Sequence, residues 1–170
     1  MTRLPNPGAP FPNVIVSALE GGQMSLGQVP DWGLVVIYRG LHCPKCKDYL
    51  RQLEALRDDF AALDVTVIAA SGDPADRAQA MVDETGYGGP MGYDLSVPQM
   101  RDLGLYISDP LSDTETDRPF AEPGLFVINP AGQLQVHDIS TAPWARPDLT
   151  MVRDGIRFAQ DKGRPPRGTH

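Results

Sequence analysis

Cysteine is scarce in this sequence: 170 residues hold only two, Cys43 and Cys46. One pair cannot staple a scaffold, and a chain of this length can bury a sizeable core without disulfides or metals. Histidine is scarce too, with His42, His137 and His170 alone, so a four-ligand zinc site lacks its further ligands. Positive charge is in deficit, with 22 acidic residues against 15 lysines and arginines and a formal net charge of −7. That balance disfavours nucleic acid and anionic membrane as partners. No apolar run is long enough to span a bilayer. Residues 1–11 are rich in Pro and Gly and carry no apolar segment of the secretory kind, so the expected location is the cytoplasm. The glycines of 86–92 fit neither the phosphate-loop nor the dinucleotide fingerprint, and no tightly held cofactor is expected.

What is present reads as an ordinary globular protein, 41% hydrophobic and 22% charged, which excludes a disordered or fibrous chain. One domain over residues 1–170 is expected, with a flexible N-terminal segment and a polar C-terminal tail from 161 that is ordered only if it docks. Residues 14–19 read as a strand returning through 24–26. The run 33–38 is almost wholly apolar and β-prone, as a central strand buried on both faces requires. Tyr49, Leu50, Leu53, Leu56 and Phe60 then recur at helical spacing within 45–60. A second buried strand follows at 65–70, a helix at 75–85, a glycine-rich loop at 86–92 and a short helix at 97–103. Residues 108–122, acidic and broken by two prolines, read as a surface loop. Strands at 125–128 and 133–137 make a hairpin about the turn at 129–132, and a helix at 149–160 closes the chain. This order predicts an α/β fold, a central mixed β-sheet with helices on both faces.

The two cysteines lie three positions apart, at the junction of the central strand and its helix, in Cys43-Pro44-Lys45-Cys46. A disulfide closing so short a loop removes little unfolded-state entropy, so reactivity explains the pair better than stability does. Helix N-termini offer free N–H groups and a positive dipole end, which lower a thiol pKa from about 8.5. Lys45 and Lys47 add positive charge, and Pro44 suits the first helical turn. One sulfur can attack and the other resolve. His42 either lowers a thiolate pKa through its imidazolium or faces solvent as a loop residue. Asp73 with Asp76, and the acids of 113–117, are expected to be solvated side chains, since the ordered calcium-loop pattern is absent. Trp32 and Trp144 read as aromatics packed at the domain edge, or else as a partner surface.

The stretch from Val36 to Lys47, with its Tyr38-Arg39-Gly40-Leu41-His42-Cys43-Pro44-Lys45-Cys46, resembles the active-site segment of the thioredoxin superfamily. With Leu105-Tyr106-Ile107-Ser108, Glu122-Pro123-Gly124-Leu125-Phe126, Arg146-Pro147 and Pro166-Arg167-Gly168, the chain resembles the peroxiredoxin-like branch of the alkyl hydroperoxide reductase and thiol-specific antioxidant family over about residues 13–168. The resemblance implies a thioredoxin-like fold and a thiol-dependent oxidoreductase. It implies peroxide reduction through a Cys43–Cys46 dithiol/disulfide cycle, electrons from a dithiol protein or small thiol, and possible homo-oligomers. It also places a proline, Pro123, beside the pair in the cis form. The chain departs from the family motif Pro-x-x-x-Thr-x-x-Cys: aligned on the strand, Cys46 is the peroxide-attacking cysteine, Cys43 stands at the Thr and Arg39 at the Pro. Pro123 and Gly124 occupy the neighbourhood of the family's distant arginine, leaving Arg39 or Arg146 as substitutes. Aligned with thioredoxin, Cys43 attacks and Cys46 resolves. Two alternatives accompany the peroxidase: a thiol-disulfide oxidoreductase acting on protein disulfides, and a non-catalytic interaction module of the same fold. An exposed sulfur with a pocket beside Pro123 favours an enzyme; two inaccessible thiols favour the module.

Overall fold

The computed structural model describes residues 4–170. Nine strands form in chain order: β1 (Ile15–Ala18), β2 (Gln23–Ser25), β3 (Trp32–Ile37), β4 (Val65–Ala70), β5 (Met91–Tyr93), β6 (Ile107–Ser108), β7 (Phe120–Ala121), β8 (Gly124–Ile128) and β9 (Leu134–Ile139). Four helices accompany them: α1 (Pro44–Ala61), α2 (Ala75–Thr85), α3 (Val97–Asp102) and α4 (Leu149–Lys162). Seven strands make one mixed sheet in the order β2-β1-β5-β4-β3-β8-β9, and β6 and β7 pair separately. β3 runs parallel to β4 and antiparallel to β8, so its backbone is bonded on both edges.

The side chains of β3 divide the core by strand alternation. Leu34 and Val36 join a cluster with Cys43, Cys46, Leu50 and Leu53 of the α1 region, Met81 of α2 and Ile156 of α4. Val35 and Ile37 join one with Phe11, Met100, Phe126 and Ile128 on the other face. Thus α1, α2 and α4 cover one face, while α3 and the segment before β1 cover the other. The helical spacing read between Tyr49 and Phe60 is the reason α1 buries one stripe against β3.

Three regions differ from the sequence reading. Met91–Tyr93, read with the glycine-rich loop before it, is a strand between β1 and β4; Gly92 belongs there because a Cβ would sit 2.7 Å from Val16 and 3.1 Å from Ala70. The acidic stretch 108–122 is a surface loop only in its middle. Its ends form β6 and β7, and Thr116, Phe120, Ala121 and Glu122 are buried, because Arg77 binds Thr116 and Asp117 and Arg39 pairs with Glu122. The segment before β1 is tied down: Gly8 N–H donates to Leu134 and Phe11 N–H to Gly132, with the Phe11 ring edge-on to Phe126. The tail is docked through Gln135, whose side chain donates to the Arg164 carbonyl at 2.9 Å.

Phe126 is fully buried and joins β8 to both Phe11 and β3. Phe126→Ala is expected to lower unfolding stability by about 3–5 kcal/mol, read as a drop in the urea midpoint at unchanged slope.

Candidate active site

β3 delivers the chain to a turn that must reverse before α1 can start. Gly40 makes the turn at φ 153°, and a Cβ there would lie 2.8 Å from His42 Nδ1 and 3.0 Å from Asp73 Oδ1. Asp73 follows β4 and is buried, not solvated as its sequence context suggests. Its carboxylate accepts the Leu41 N–H at 2.7 Å, and burial pushes its pKa up. Parallel pairing of β3 with β4 brings this acid to the turn, which no local pattern around residue 73 reveals.

Cys43 is the N-cap of α1, with Pro44 in the first turn. Its Sγ accepts the Cys46 N–H at 3.2 Å, the position from which a helix N-terminus stabilises a thiolate. The Cα atoms of Cys43 and Cys46 are 5.3 Å apart and the sulfurs are joined as a disulfide. Both residues are buried, at 1% and 0% exposure. On its other side the Cys46 Sγ receives Arg146 Nη2 at 2.6 Å. Arg146 comes from the loop between β9 and α4, a hundred positions away. Tyr49, one turn beyond Cys46, holds it in place: the guanidinium lies over the Tyr49 ring at 4.8 Å, and the Tyr49 hydroxyl donates to the Pro147 carbonyl at 2.7 Å. Burial lowers the Arg146 pKa to about 10, so the group is still a cation at neutral pH. Its Nε and Nη1 are buried with no hydrogen-bond acceptor among the described residues.

The other expected site residues are brought near the pair but do not all act on it. Arg39 directs its guanidinium to Glu122, Nε to Oε2 at 3.0 Å and Nη2 to Oε1 at 3.5 Å, and over the Phe120 ring at 4.8 Å. Glu122 also accepts from Ser108 Oγ at 2.8 Å; a buried carboxylate needs such partners. Of the two arginines left open by the sequence, Arg146 is therefore the one on the sulfur. His42 lies edge-on to Phe120 at 4.7 Å, half-buried rather than in open solvent. Burial first, and the positive charge of Arg39 second, lower its pKa, which disfavours the imidazolium. Pro123 lines a small cavity of about 10 Å³ with Val36, Tyr49 and Arg146. The expected cis bond before it is not formed, since no cis peptide occurs among the described residues. The chain instead runs extended from β7 into β8, with Glu122 N–H on Tyr106 and the Pro123 carbonyl accepting from Ser140. No group of metal-ligating side chains occurs among the described residues.

The model of the AhpC/TSA family matches residues 7–137. The chain belongs to that family. No curated protein matches this AhpC/TSA chain. Among solved structures it is similar to a mutant of peroxiredoxin 6 from Arenicola marina, with 21% identity, TM-score 0.77, and coverage of 94% of this chain and 75% of that one. It is also similar to the peroxidoxin BcpB from Mycobacterium tuberculosis, at 15% identity, TM-score 0.74, and coverage of 91% and 97%. A third is Enterococcus faecalis AhpC, at 17% identity, TM-score 0.74, and coverage of 94% and 97%. These similarities establish the thioredoxin-like fold, and family membership makes the AhpC/TSA protein a thiol-dependent oxidoreductase. The family match ends before Arg146, so only the fold places that arginine on Cys46.

Two outcomes follow from this geometry. Arg146→Ala is expected to raise the Cys46 thiol pKa and slow its alkylation at neutral pH by about tenfold, in proportion to a shift of about one unit; iodoacetamide rates against pH in the reduced protein measure it. Because the His42 pKa in the folded state lies below its ordinary 6.5, the unfolded chain binds more protons as pH falls through 6.5 toward the folded value. Stability should therefore decline on acidification through that window, and His42→Phe should flatten part of the decline in pH-dependent urea midpoints.

Proposed function

We propose that the protein reduces peroxides by forming a sulfenic acid on Cys46 and resolving it with Cys43. The observation that carries the assignment is Arg146: a buried cation on the Cys46 Sγ at 2.6 Å, with two further nitrogens that have no acceptor among the described residues. The Cys46 thiolate attacks one peroxide oxygen and the O–O bond breaks. Negative charge develops on the departing oxygen, where guanidinium donors in a site of low dielectric stabilise it most. The leaving oxygen takes a proton and departs as alcohol or water. The Cys43 thiolate then displaces the sulfenic oxygen as hydroxide, which takes a proton from solvent and leaves as water, closing the Cys43–Cys46 disulfide. A dithiol protein or small thiol returns two electrons. The N–H bond from Cys46 to the Cys43 Sγ supports a deprotonated Cys43, as the resolving step needs.

Neither sulfur is exposed and neither cysteine lines the cavity beside Pro123, so exposure alone favours the non-catalytic module. The link from that cavity to the site is Arg146, which lines it and reaches the Cys46 Sγ. Peroxide therefore approaches along the Arg146 side, where the cavity admits about one water-sized group, and larger substrates require the loop carrying Arg146 to open. Arg39, His42 and Pro123 take supporting parts: Arg39 anchors Glu122, His42 packs the turn before Cys43, and Pro123 walls the cavity. A second reading rests on the capped Cys43, which as the attacking thiolate would make the protein a thiol-disulfide oxidoreductase. We place either activity in the cytoplasm, where dithiol reductants keep such a pair cycling. No helix among the described residues is long and apolar enough to cross a membrane.

Single serine variants separate the two cycles. With limiting hydrogen peroxide, Cys43→Ser should trap a sulfenic acid on Cys46 by mass spectrometry with rapid peroxide loss, and Cys46→Ser should consume peroxide at least about a hundredfold more slowly. Slow peroxide loss in the parent protein, with a mixed disulfide on Cys43 in Cys46→Ser, would instead support the thiol-disulfide oxidoreductase.

A further inference from the structure

Near the sulfurs lie a carboxylate and a guanidinium that each keep unused hydrogen-bonding atoms. Glu122 is 4% exposed. Its Oε1 accepts from Ser108 Oγ at 2.8 Å and from Arg39 Nη2 at 3.5 Å. Its Oε2, although 3.0 Å from Arg39 Nε, is buried without an aligned donor among the described residues. Arg146 carries the opposite deficit: Nη2 is on the Cys46 Sγ, while Nε and Nη1 are buried without an acceptor among those residues. Leaving a buried polar group unpaired is costly, more so when it is charged, so the spare acceptor and the spare donors attract one another.

The two groups share one neighbourhood. Pro123, the residue after Glu122, lines the same cavity as Arg146, and its carbonyl accepts the N–H of Ser140, at the start of the loop that carries Arg146. Burial is the chief cause of the lowered Arg146 pKa; Tyr49 acts against it, Arg39 adds to it and Glu122 acts against it. The groups acting on Arg146 thus come from α1, from the turn after β3 and from the link between β7 and β8. Asp138 of β9 also lines the cavity, but it is exposed and water screens its charge. While Arg39 holds Glu122, Arg146 is left for a Cys46 thiolate. A freed carboxylate would compete for that guanidinium with two oxygens, the geometry that a guanidinium fork matches best.

We propose that Arg39 is a positioning residue for Cys46: by occupying the Glu122 carboxylate it leaves the Arg146 guanidinium on the sulfur. The proposal rests on the role given to Arg146 in the peroxidase reading, and it adds the condition that a neighbouring buried carboxylate be kept engaged. Removing Arg39 lets Glu122 draw Arg146 away, so the thiolate loses its counter-charge. Neutralising Glu122 instead leaves the Arg39 charge without its offset, which favours the thiolate. Removing both charges restores Arg146 alone beside the sulfur.

The ionisation of Cys46 tests this apart from turnover. In a full-length Cys43→Ser protein Cys46 is the only cysteine, and iodoacetamide rates against pH give its thiol pKa. Arg39→Met is expected to raise that pKa by about one unit, which slows alkylation at neutral pH roughly tenfold. Glu122→Gln should lower it, and the double variant should return close to the parent. Loosened packing alone predicts another order, with the double variant no better than Arg39→Met. Asp138→Asn should shift the pKa less than Glu122→Gln does. The Arg146 Nε–H resonance, assigned by its loss in Arg146→Lys, reports where the guanidinium sits. It should move downfield in Arg39→Met, as Nε gains a carboxylate acceptor, and return in the double variant. Should Arg39→Met fail to fold, Glu122→Gln and the double variant leave no unpaired carboxylate and still give the order. An unmoved thiol pKa in Arg39→Met or Glu122→Gln, a double variant far from the parent, a larger effect of Asp138→Asn, or an Arg146 resonance that stays in place would each overturn the proposal. With limiting hydrogen peroxide, sulfenic acid formation on Cys46 should follow the same order. The expected order and resonances without consumption of peroxide would sustain the role of Arg39 and sink the peroxidase reading alone.

Discussion

A guanidinium taken out of water beside a sulfur is the constraint around which this site is arranged. Arg146 loses hydration when the loop between β9 and α4 closes over α1, and burial opposes its charge. Three contacts offset that loss: the Cys46 sulfur, the face of Tyr49, and the anchorage of the adjoining Pro147 carbonyl by the Tyr49 hydroxyl. A thiolate at Cys46 would strengthen the arrangement, since opposite charges attract more strongly where water is excluded. The packing of α1 against α4 is thus coupled to the ionisation of one cysteine.

The other sulfur is governed by different physics. Cys43 belongs to the helix end itself, where its Sγ shares with its own carbonyl the N–H of Cys46. A helix dipole and a backbone donor serve Cys43, and a side-chain cation serves Cys46. One short segment therefore holds two sulfurs that are both suited to ionise yet differ in what surrounds them. The buried pair Arg39 and Glu122 closes the acidic loop onto the turn before α1, while Asp73 secures the same turn from β4. Position is what these charged groups contribute.

Sequence reasoning reached far where the signal was local. The span 65–70 and the helix 75–85 coincide with β4 and α2, because apolar runs and helical spacing are properties of contiguous residues. The cysteines were readable for the same reason: strand, turn, proline and helix all lie within about 20 positions. Met91–Tyr93 escaped because three residues carry no period, and their strand identity comes wholly from pairing with β1 and β4. The ends of the acidic loop escaped because Glu122 reads as a solvated acid until Arg39, 83 positions earlier, is folded against it.

By itself, then, the sequence determined the class of fold and the place of the cysteine pair at the end of a buried strand. Hydrophobic periodicity and helix-terminal electrostatics act over a few residues, and a chain carries them before it folds. Only the tertiary structure decided that Arg146 and not Arg39 meets Cys46, that Asp73 is buried at the Gly40 turn, that His42 packs on Phe120, and that Pro123 is trans. Each of those outcomes depends on which distant side chain satisfies a buried charge or donor, and that is settled when the sheet and its helices close upon one another.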